Sequence, residues 1–233
     1  TNIANAICGR RSFKNFDMTS NHFMNKKTAA VILLLMLLPQ PAYALESDHS
    51  STNYVFPFSK IPVTYPRDHV DYPAADVEGC YARVLSPTSG IVTQRHTRDK
   101  WVKEVDSPGT RGGKTVTIEG DDNVRYFFSH LGRVKVRVGQ RVAPGDWIGV
   151  MGSSGNARIT RCHTHFGISR ICPLAEAYLL QGEIWPQRYL DAWREGKQLS
   201  PKREVAKNAN SDPQGCVRSR ADTRAASPRS VSG

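Results

Sequence analysis

Short runs of β-branched and aromatic residues, separated by Gly, Pro and Asp, fill the middle of the chain. Runs of this length and spacing indicate strands rather than helices. One of them, Val-Lys-Val-Arg-Val at 134–138, alternates strictly between apolar and basic residues, as expected for a strand with one face in solvent. The pattern therefore predicts a mainly β protein with an antiparallel β-sheet core. The predicted strands cover residues 90–93, 115–118, 124–128, 134–138 and 147–150.

Two later segments have helical rather than strand character. Residues 174–182 and 185–196 place long apolar residues at helical intervals. In the second segment Tyr189, Leu190 and Trp193 are expected to pack back on the sheet. We therefore expect short C-terminal helices after the β core.

The N-terminal part of the chain has the organisation of an export signal. A basic segment begins at Met24, an apolar run follows at 29–38, and Ala42-Tyr-Ala44 supplies small residues for cleavage. About ten apolar residues are too few to span a bilayer comfortably, since a transmembrane helix needs about 20. Residues 24–44 are therefore predicted to be a signal peptide, which implies export to the periplasm, cell wall or medium without stable membrane insertion after cleavage. The alternative is an uncleaved membrane anchor.

The other parts of the chain differ in composition. A polar, Pro-interrupted lead-in at 45–65 precedes a single predicted domain at 66–199. Residues 200–233 are basic and contain few large apolar residues, so we expect a disordered tail there. Residues 1–23 begin without Met and are expected to be an upstream extension or untranslated sequence.

Basic residues outnumber acidic ones, since 32 Lys and Arg against 21 Asp and Glu give a formal net charge of +11. From Lys202 onward the count is 7 against 3. A basic tail on an exported protein suits attraction to anionic envelope polymers, or it only increases solubility. The sequence pI of about 9.6 raises the question of nucleic-acid binding. No recognised motif for reading nucleic acid is present and export removes the chain from the cytoplasm, so we expect no nucleic-acid partner.

Histidines provide the candidate chemistry. His163 and His165 are two residues apart in a strand-like segment, so their side chains project from the same face. His69 and Asp76 lie about ninety residues upstream, and His130 ends an aromatic segment between the two groups. Two histidines and one aspartate make an ordinary three-ligand zinc set that leaves one position open for water or substrate. The remaining histidines are then candidates for acid–base catalysis or charge stabilisation.

The motifs, taken in order, resemble the lysostaphin/LytM-type zinc endopeptidases, which cut peptide cross-links of bacterial peptidoglycan. The resemblance implies a fold of the biotinyl/lipoyl-like hybrid-motif type, zinc as the cofactor and peptidoglycan as the substrate. By matched position it implies the zinc ligands His69, Asp76 and His165, with His163 and His130 as the catalytic histidines. The resemblance covers roughly Pro66–Ile171, and its motifs are Gly113–Glu119, Tyr126–Leu131, Val136–Gly149, Gly152–Gly155 and His163–Phe166.

The chain departs from the common pattern of that family at several places, one of which is Thr164, where the family more often has Leu. Gly167 stands where the family more often has Glu. Six residues separate His69 from Asp76, which is wider than the commonest gap of three. Asp71 and Asp68 therefore remain alternative acidic ligands.

The catalytic chemistry can also be read from the residues alone. The sequence contains no His-Glu-x-x-His motif, so the glutamate base of helical zinc proteases is missing and a histidine must replace it. Zinc lowers the pKa of a bound water from about 15.7 to near 7, which supplies the nucleophile. We expect His163 to act as the base and His130 to stabilise the tetrahedral oxyanion.

Four cysteines follow the predicted cleavage site, an even number in an oxidising compartment, which predicts disulfides. Cys162 and Cys172 flank the His-x-His segment, and a bridge between them would hold the end of that strand. We favour this pairing, which leaves Cys80 with Cys216 or both free. A cysteine as metal ligand is the alternative, but Cys162 should point away from the face that His163 occupies.

The sequence thus predicts an exported zinc metalloendopeptidase that hydrolyses peptide bonds in peptidoglycan stems or cross-bridges. One alternative is a non-catalytic relative that binds cell wall or activates another hydrolase. A second alternative is a zinc peptidase that acts on secreted proteins. All five motif positions are filled, which favours catalysis, whereas the choice of substrate depends on groove-wall loops such as residues 98–113.

Overall fold

The computed structural model describes residues 53–173 and 180–218. The predicted signal peptide at 24–44, the segment 1–23 and most of the predicted helix at 174–182 lie outside the described residues, and these predictions stay predictions. Within the described ranges, no helix is both long and apolar enough to cross a bilayer.

The described residues form two β-sheets in which every strand pairing is antiparallel. This confirms the predicted mainly β fold class. The strands are β1 (Phe58–Ser59), β2 (Ala75–Glu78), β3 (Arg83–Leu85), β4 (Gly90–His96), β5 (Thr115–Gly120), β6 (Arg125–Phe128), β7 (Leu131–Val134), β8 (Arg141–Val142), β9 (Trp147–Met151) and β10 (His163–Ser169). A four-stranded sheet has the order β1-β3-β9-β7, and a six-stranded sheet has the order β2-β10-β6-β5-β4-β8.

Short helices accompany the sheets. They are α1 (Pro108–Arg111), a 3₁₀ turn at Gly155–Ile159, α2 (Gln187–Arg194) and α3 (Lys202–Ser211). The second helix confirms the one expected within 185–196, because its residues Tyr189, Leu190 and Trp193 are buried in the core beside the sheet. The ring of Trp193 lies 6.5 Å from that of Phe166 on β10, measured between ring centroids.

One hydrophobic core holds side chains from both sheets and fixes the orientation of β10. Phe166 and Ile168 are fully buried in this core, and the ring of Phe166 lies 5.0 Å from that of Phe128 on β6. Because side chains alternate along a strand, His163 and His165 project from the opposite face. A slip of one residue would exchange the two faces, so burial of the apolar set fixes the direction of the histidines.

Two sequence predictions about element bounds are wrong. The alternating segment 134–138 is not a strand, because β7 ends at Val134 and the chain continues irregularly. Its alternation arises because Val136 still packs into the core, where it is 2% exposed. The lead-in at 45–65 is not separate from the domain either: Tyr54 is buried with its ring stacked 5.4 Å from that of Trp193, and β1 belongs to a sheet.

The predicted disorder of the basic tail at 200–233 is also wrong for its first part. Helix α3 buries Val205 against the core, and a further helical turn follows at residues 215–218. Burial of Val205, the disulfide at Cys216 and hydrogen bonds such as that from Arg170 to the Asp212 carbonyl oxygen hold this stretch. Amino-acid composition does not reveal such individual contacts. Residues 219–233 lie outside the described part of the chain.

The disulfide pairing differs from the sequence prediction. Cys80 pairs with Cys162 and Cys172 pairs with Cys216, so the favoured Cys162–Cys172 bridge is wrong. Cys80 follows β2 and Cys162 precedes β10, and antiparallel pairing of these strands brings the two Cα atoms to 5.4 Å. The Cα atoms of Cys172 and Cys216 lie 5.8 Å apart. Both separations lie in the usual range for disulfides.

We expect the Cys80→Ala/Cys162→Ala variant to lose about 2–4 kcal/mol of unfolding free energy, because the cross-link restricts a long loop of the unfolded chain. Chemical denaturation of both proteins under non-reducing conditions measures the change. Mass spectrometry of non-reduced peptides tests the pairing itself. Recovery of a Cys162–Cys172 peptide, or an unchanged denaturation midpoint, would contradict the arrangement described here.

Candidate metal centre

The centre of the site is one cross-strand pair. In the register of β2 and β10, Asp76 lies directly opposite His165. Residues opposite each other in an antiparallel pair have neighbouring side chains on one face of the sheet. The Asp76 Oδ1 atom accordingly lies 3.0 Å from the Nδ1 atom of His165. The hydrogen-bond register of the sheet therefore sets this contact.

His69 reaches the same point from the loop that precedes β2. Its Nδ1 atom lies 2.9 Å from the carbonyl oxygen of Tyr72, a bond that closes the turn between the two residues. The Nε2 atom then faces Asp76, at 3.8 Å from Oδ2. The six residues between His69 and Asp76 therefore include a turn that brings His69 back towards Asp76.

His69, Asp76 and His165 offer ligand atoms that all lie within 4.8 Å of one another. This is the set predicted from the sequence, and the structure brings all three residues together. Asp68 and Asp71, the alternative acidic ligands, are exposed and do not belong to this group. Two imidazoles and a carboxylate are donors that suit zinc.

The hydrogen bonds around His165 indicate that a cation fits there. The Nε2 atom of His165 lies 3.1 Å from the carbonyl oxygen of Gln181, while Nδ1 faces the Asp76 carboxylate. Both partners are acceptors, and a neutral imidazole has only one N–H. A metal ion bound to Nδ1 and the Asp76 carboxylate would satisfy the contacts of both ring nitrogens. A carbonyl that holds the far nitrogen of a ligating histidine is the usual outer partner of a metal site.

The two predicted catalytic histidines lie beside this group. The rings of His130 and His163 are 4.7 Å apart between centroids, and the ring of His130 lies 6.4 Å from that of His165. His163 directs Nε2 towards Asp76, at 3.9 Å from Oδ1, and its Nδ1 atom lies 2.7 Å from the Arg161 carbonyl oxygen. All five predicted site residues therefore meet in one place.

His130 is held in an unusual backbone conformation. Its φ angle is +61°, in the left-handed region that residues other than glycine seldom adopt. Its N–H donates to the carbonyl oxygen of Gly112, and its Nδ1 atom lies 2.9 Å from the Ser154 carbonyl oxygen. Strained conformations of this kind concentrate at functional sites, where the surrounding structure maintains them.

The charges in the site are strongly coupled. Burial alone would raise the pKa of Asp76, but the hydrogen bond with His165 and the nearby charges of His165, His163 and His69 lower it to about 2. Burial, reinforced by the neighbouring histidines, lowers the pKa of His130 to about 3. Near neutral pH Asp76 is therefore an anion and His130 is a neutral base.

A segment at residues 180–183 covers the outer face of β10 and supplies the Gln181 carbonyl. A Cβ atom on Gly167 would lie 1.7 Å from that carbonyl oxygen, so only glycine lets the segment approach this closely. Arg125, which is fully buried on β6, holds the segment through a hydrogen bond to the Leu180 carbonyl oxygen. Glu183 donates its N–H to the Ile168 carbonyl oxygen.

The side chains that meet in this place were predicted from the sequence, but the covering segment was not. Backbone carbonyls carry no residue-type signal, so nothing in the sequence marked Gln181. Gly167 was the one available clue, because a glycine inside a strand often marks a place where another backbone comes close. Its departure from the expected Glu is therefore explained by the packing of this chain.

The five site residues lie in an open cleft of about 700 Å³. One wall comes from residues 108–112, which form part of the groove-wall loop named from the sequence. The end of α3 and the turn after it also line the cleft, and the Cys172–Cys216 disulfide links this turn to the segment that follows β10. The C-terminal residues lining the cleft are Asn208, Asp212, Gly215 and Arg218.

Comparison with known families gives one match. Residues 71–176 match the model of Peptidase family M23, a span that contains Asp76, His130, His163 and His165 and begins two residues after His69. Residues 71–176, a little under half of the chain, are therefore similar to this peptidase family. No curated protein matches the chain.

Several solved structures are similar to this chain. One is a candidate glycyl-glycine endopeptidase LytM from Ruminococcus gnavus, with 19% identity over 64% of this chain and 63% of that chain and a TM-score of 0.48. Another is the catalytic domain of the antimicrobial peptidase lysostaphin from Staphylococcus simulans, with 20% identity over 57% of this chain and 92% of that domain and a TM-score of 0.41. The chain thus spans less than two thirds of the first of these structures.

We expect Gly167→Ala to weaken zinc binding by about 10–100-fold, since the added methyl group displaces the Gln181 carbonyl that holds His165. Competition with a chromophoric chelator measures the affinity. Gly109→Ala is the control, because its Cβ meets nothing within 4 Å and its backbone has no positive φ. Equal zinc affinities for the two variants would contradict the role given to the covering segment.

Proposed function

We propose that this chain, which is similar to Peptidase family M23 over residues 71–176, is an exported zinc metalloendopeptidase that cuts peptide bonds of peptidoglycan. One observation carries the proposal. The donor atoms of His69, Asp76 and His165 converge within 4.8 Å in an open cleft, with two further histidines beside them. A purely structural cluster would not require an open cleft or unused imidazole nitrogens.

The donor set fits zinc by its chemistry. His69 and His165 each have one ring nitrogen at a backbone carbonyl, which leaves the other nitrogen with a lone pair towards Asp76. When bound, zinc supplies Lewis acidity, which lowers the pKa of water to near 7 and polarises a scissile carbonyl. Three protein ligands leave a position open for that chemistry.

His163 is the proposed general base. Its Nδ1 atom donates to the Arg161 carbonyl oxygen, so Nε2 has a lone pair directed into the cleft. Its side chain is 12% exposed, so it is close to substrate and still partly shielded from solvent. The residue can accept a proton from the nucleophilic water and return it to the leaving amine.

The geometry favours a different role for His130 from the one expected from the sequence. Its Nδ1 atom donates to the Ser154 carbonyl oxygen, so Nε2 of the neutral ring is an acceptor. Stabilising an oxyanion would need a second proton on the ring, which burial disfavours because it lowers the pKa to about 3. We therefore propose that His130 accepts a hydrogen bond from the attacking water and orients it for His163.

The substrate is the least constrained part of the proposal. The family match supports peptide hydrolysis, while peptidoglycan rests on the motif resemblance to lysostaphin/LytM-type enzymes and on the predicted export. A non-catalytic wall-binding protein would not need both unused imidazole nitrogens beside the donor group. A peptidase that acts on secreted proteins remains the second candidate, and the same cleft would serve it.

We expect purified protein to contain about one zinc per chain, in line with a single three-ligand set. Asp76→Ala and His165→Ala should lose the metal, because two ligands hold zinc far more weakly than three. Asp71→Ala is the matched control: it removes an exposed carboxylate from the same cleft and should keep the metal. Elemental analysis after dialysis measures the zinc content of each variant. Loss of zinc from Asp71→Ala but not from Asp76→Ala would show that Asp71 is the acidic ligand.

We expect His163→Ala to keep zinc but to lower the rate of hydrolysis by about 10²–10⁴-fold, the usual contribution of general acid–base catalysis. Release of new amino groups from purified peptidoglycan measures the activity, and an unfolded protein such as reduced casein tests the second candidate substrate. Wild-type activity on casein alone would favour that candidate. A zinc-loaded wild type without activity on either substrate would favour the non-catalytic alternative.

A further inference from the structure

We propose that a second pocket, separate from the metal cleft, binds an oxyanionic group, either a phosphate or a carboxylate. The cavity has a volume of about 410 Å³ and lies between the end of β4 and the groove-wall loop. We call it the basic pocket. Its lining residues are Arg95, His96, Thr97, Arg98, Lys100, Gly109, Thr110 and Gly113. This proposal does not depend on the proposed peptidase activity.

The charge of the basic pocket is uniform. Arg95, Arg98 and Lys100 are cationic side chains, His96 is a fourth basic group, and no carboxylate lines the cavity. None of the first three forms an ion pair with another described residue. Like charges brought together without a counter-charge repel one another, and an anion bound among them would relieve that repulsion.

Two aspartates of the groove-wall loop, Asp99 and Asp106, form hydrogen bonds outside the basic pocket. Asp99 lies in sequence between Arg98 and Lys100, yet its Oδ1 atom accepts from the Trp101 N–H and its Oδ2 atom accepts from the Gly155 N–H. Asp106 likewise accepts hydrogen bonds from the indole of Trp101 and from the guanidinium of Arg111. Both aspartates are therefore engaged in holding the loop, and neither lines the basic pocket.

Part of the basic pocket is held in position before any ligand arrives. Arg95 donates from Nη1 to the Val136 carbonyl oxygen, which orients its guanidinium. His96 ends β4 and lies opposite Thr115 on β5. Partial burial and then the charge of Lys100 lower the pKa of His96, as expected where positive charges crowd together. A planar guanidinium is well matched to the oxygens of a phosphate or a carboxylate.

The basic pocket and the metal cleft lie on two sides of one short segment. Within residues 108–113, Pro108, Arg111 and Gly112 line the cleft, whereas Gly109, Thr110 and Gly113 line the basic pocket. An anion held in the pocket is therefore next to the wall of the cleft. If the proposed function is correct, an anionic group of the cell wall held there would keep the polymer beside the site of cleavage.

Binding of inorganic phosphate and of acetate to the full protein, measured by isothermal titration calorimetry at low ionic strength, tests the proposal. The test variant is Arg98→Gln/Lys100→Gln, which removes two exposed charges from the pocket. The matched control is Arg133→Gln/Lys135→Gln, which removes two exposed charges outside the pocket lining. The His96 ring resonances provide a local readout, with sodium chloride at equal ionic strength as the blank.

We expect saturable binding to the wild type and to the control, with the affinity of the test variant reduced at least about 100-fold, or about tenfold for each charge-assisted hydrogen bond removed. The His96 resonances should shift with the bound anion and not with chloride. Binding of phosphate alone would identify a phosphate-bearing ligand, and binding of both anions would include carboxylates. Absence of saturable binding, or equal affinities of test and control variants, would overturn the proposal. Since no readout uses hydrolysis, the result is independent of the peptidase proposal.

Discussion

Each imidazole in the cleft has one ring nitrogen at a backbone carbonyl, and the chemistry of the site depends on this arrangement. The carbonyls belong to Tyr72, Ser154, Arg161 and Gln181. A carbonyl can only accept, so each contact fixes the proton on one nitrogen and leaves a lone pair on the other. Four loops thereby determine the tautomers of four histidines. The sheets place the rings, and the loops decide which atoms can bind a metal or accept a proton.

The six-stranded sheet fixes the relative positions of two of the donor groups. The pairing of β2 with β10 places Asp76 opposite His165, and the core burial of Phe166 prevents β10 from turning over. The disulfide between Cys80 and Cys162 joins the ends of the same two strands. Hydrogen bonds, apolar burial and a covalent link thus act on one strand pair, which carries two of the three donor groups.

Features that depend on residue type and spacing could be predicted from the sequence. The spacing of His163 and His165, together with His69, Asp76 and His130, was sufficient to predict which side chains meet in the cleft, and four of the ten strands followed from β-branched runs. Features that depend on strand order could not be predicted from the sequence. The partner of Cys162 could not be derived, because nothing local states that β2 and β10 are neighbours. The contact of the Gln181 carbonyl with His165 could not be predicted either, since every residue has a backbone carbonyl. The ordered helix at Lys202–Ser211 was missed because composition gives little weight to a single apolar contact.

The separation of the donor groups along the chain also affects how the protein matures. His69 and Asp76 cannot approach His165 until nearly ninety intervening residues have been made and β10 has paired with β2. Contacts of such long range form slowly, because loop closure costs entropy before any contact compensates for it. If a metal binds all three donors, its capture would follow this pairing and would favour the folded state over the unfolded one. A chain that is still being synthesised therefore has no assembled donor group, and any activity that depends on this group would be absent until β10 is in place.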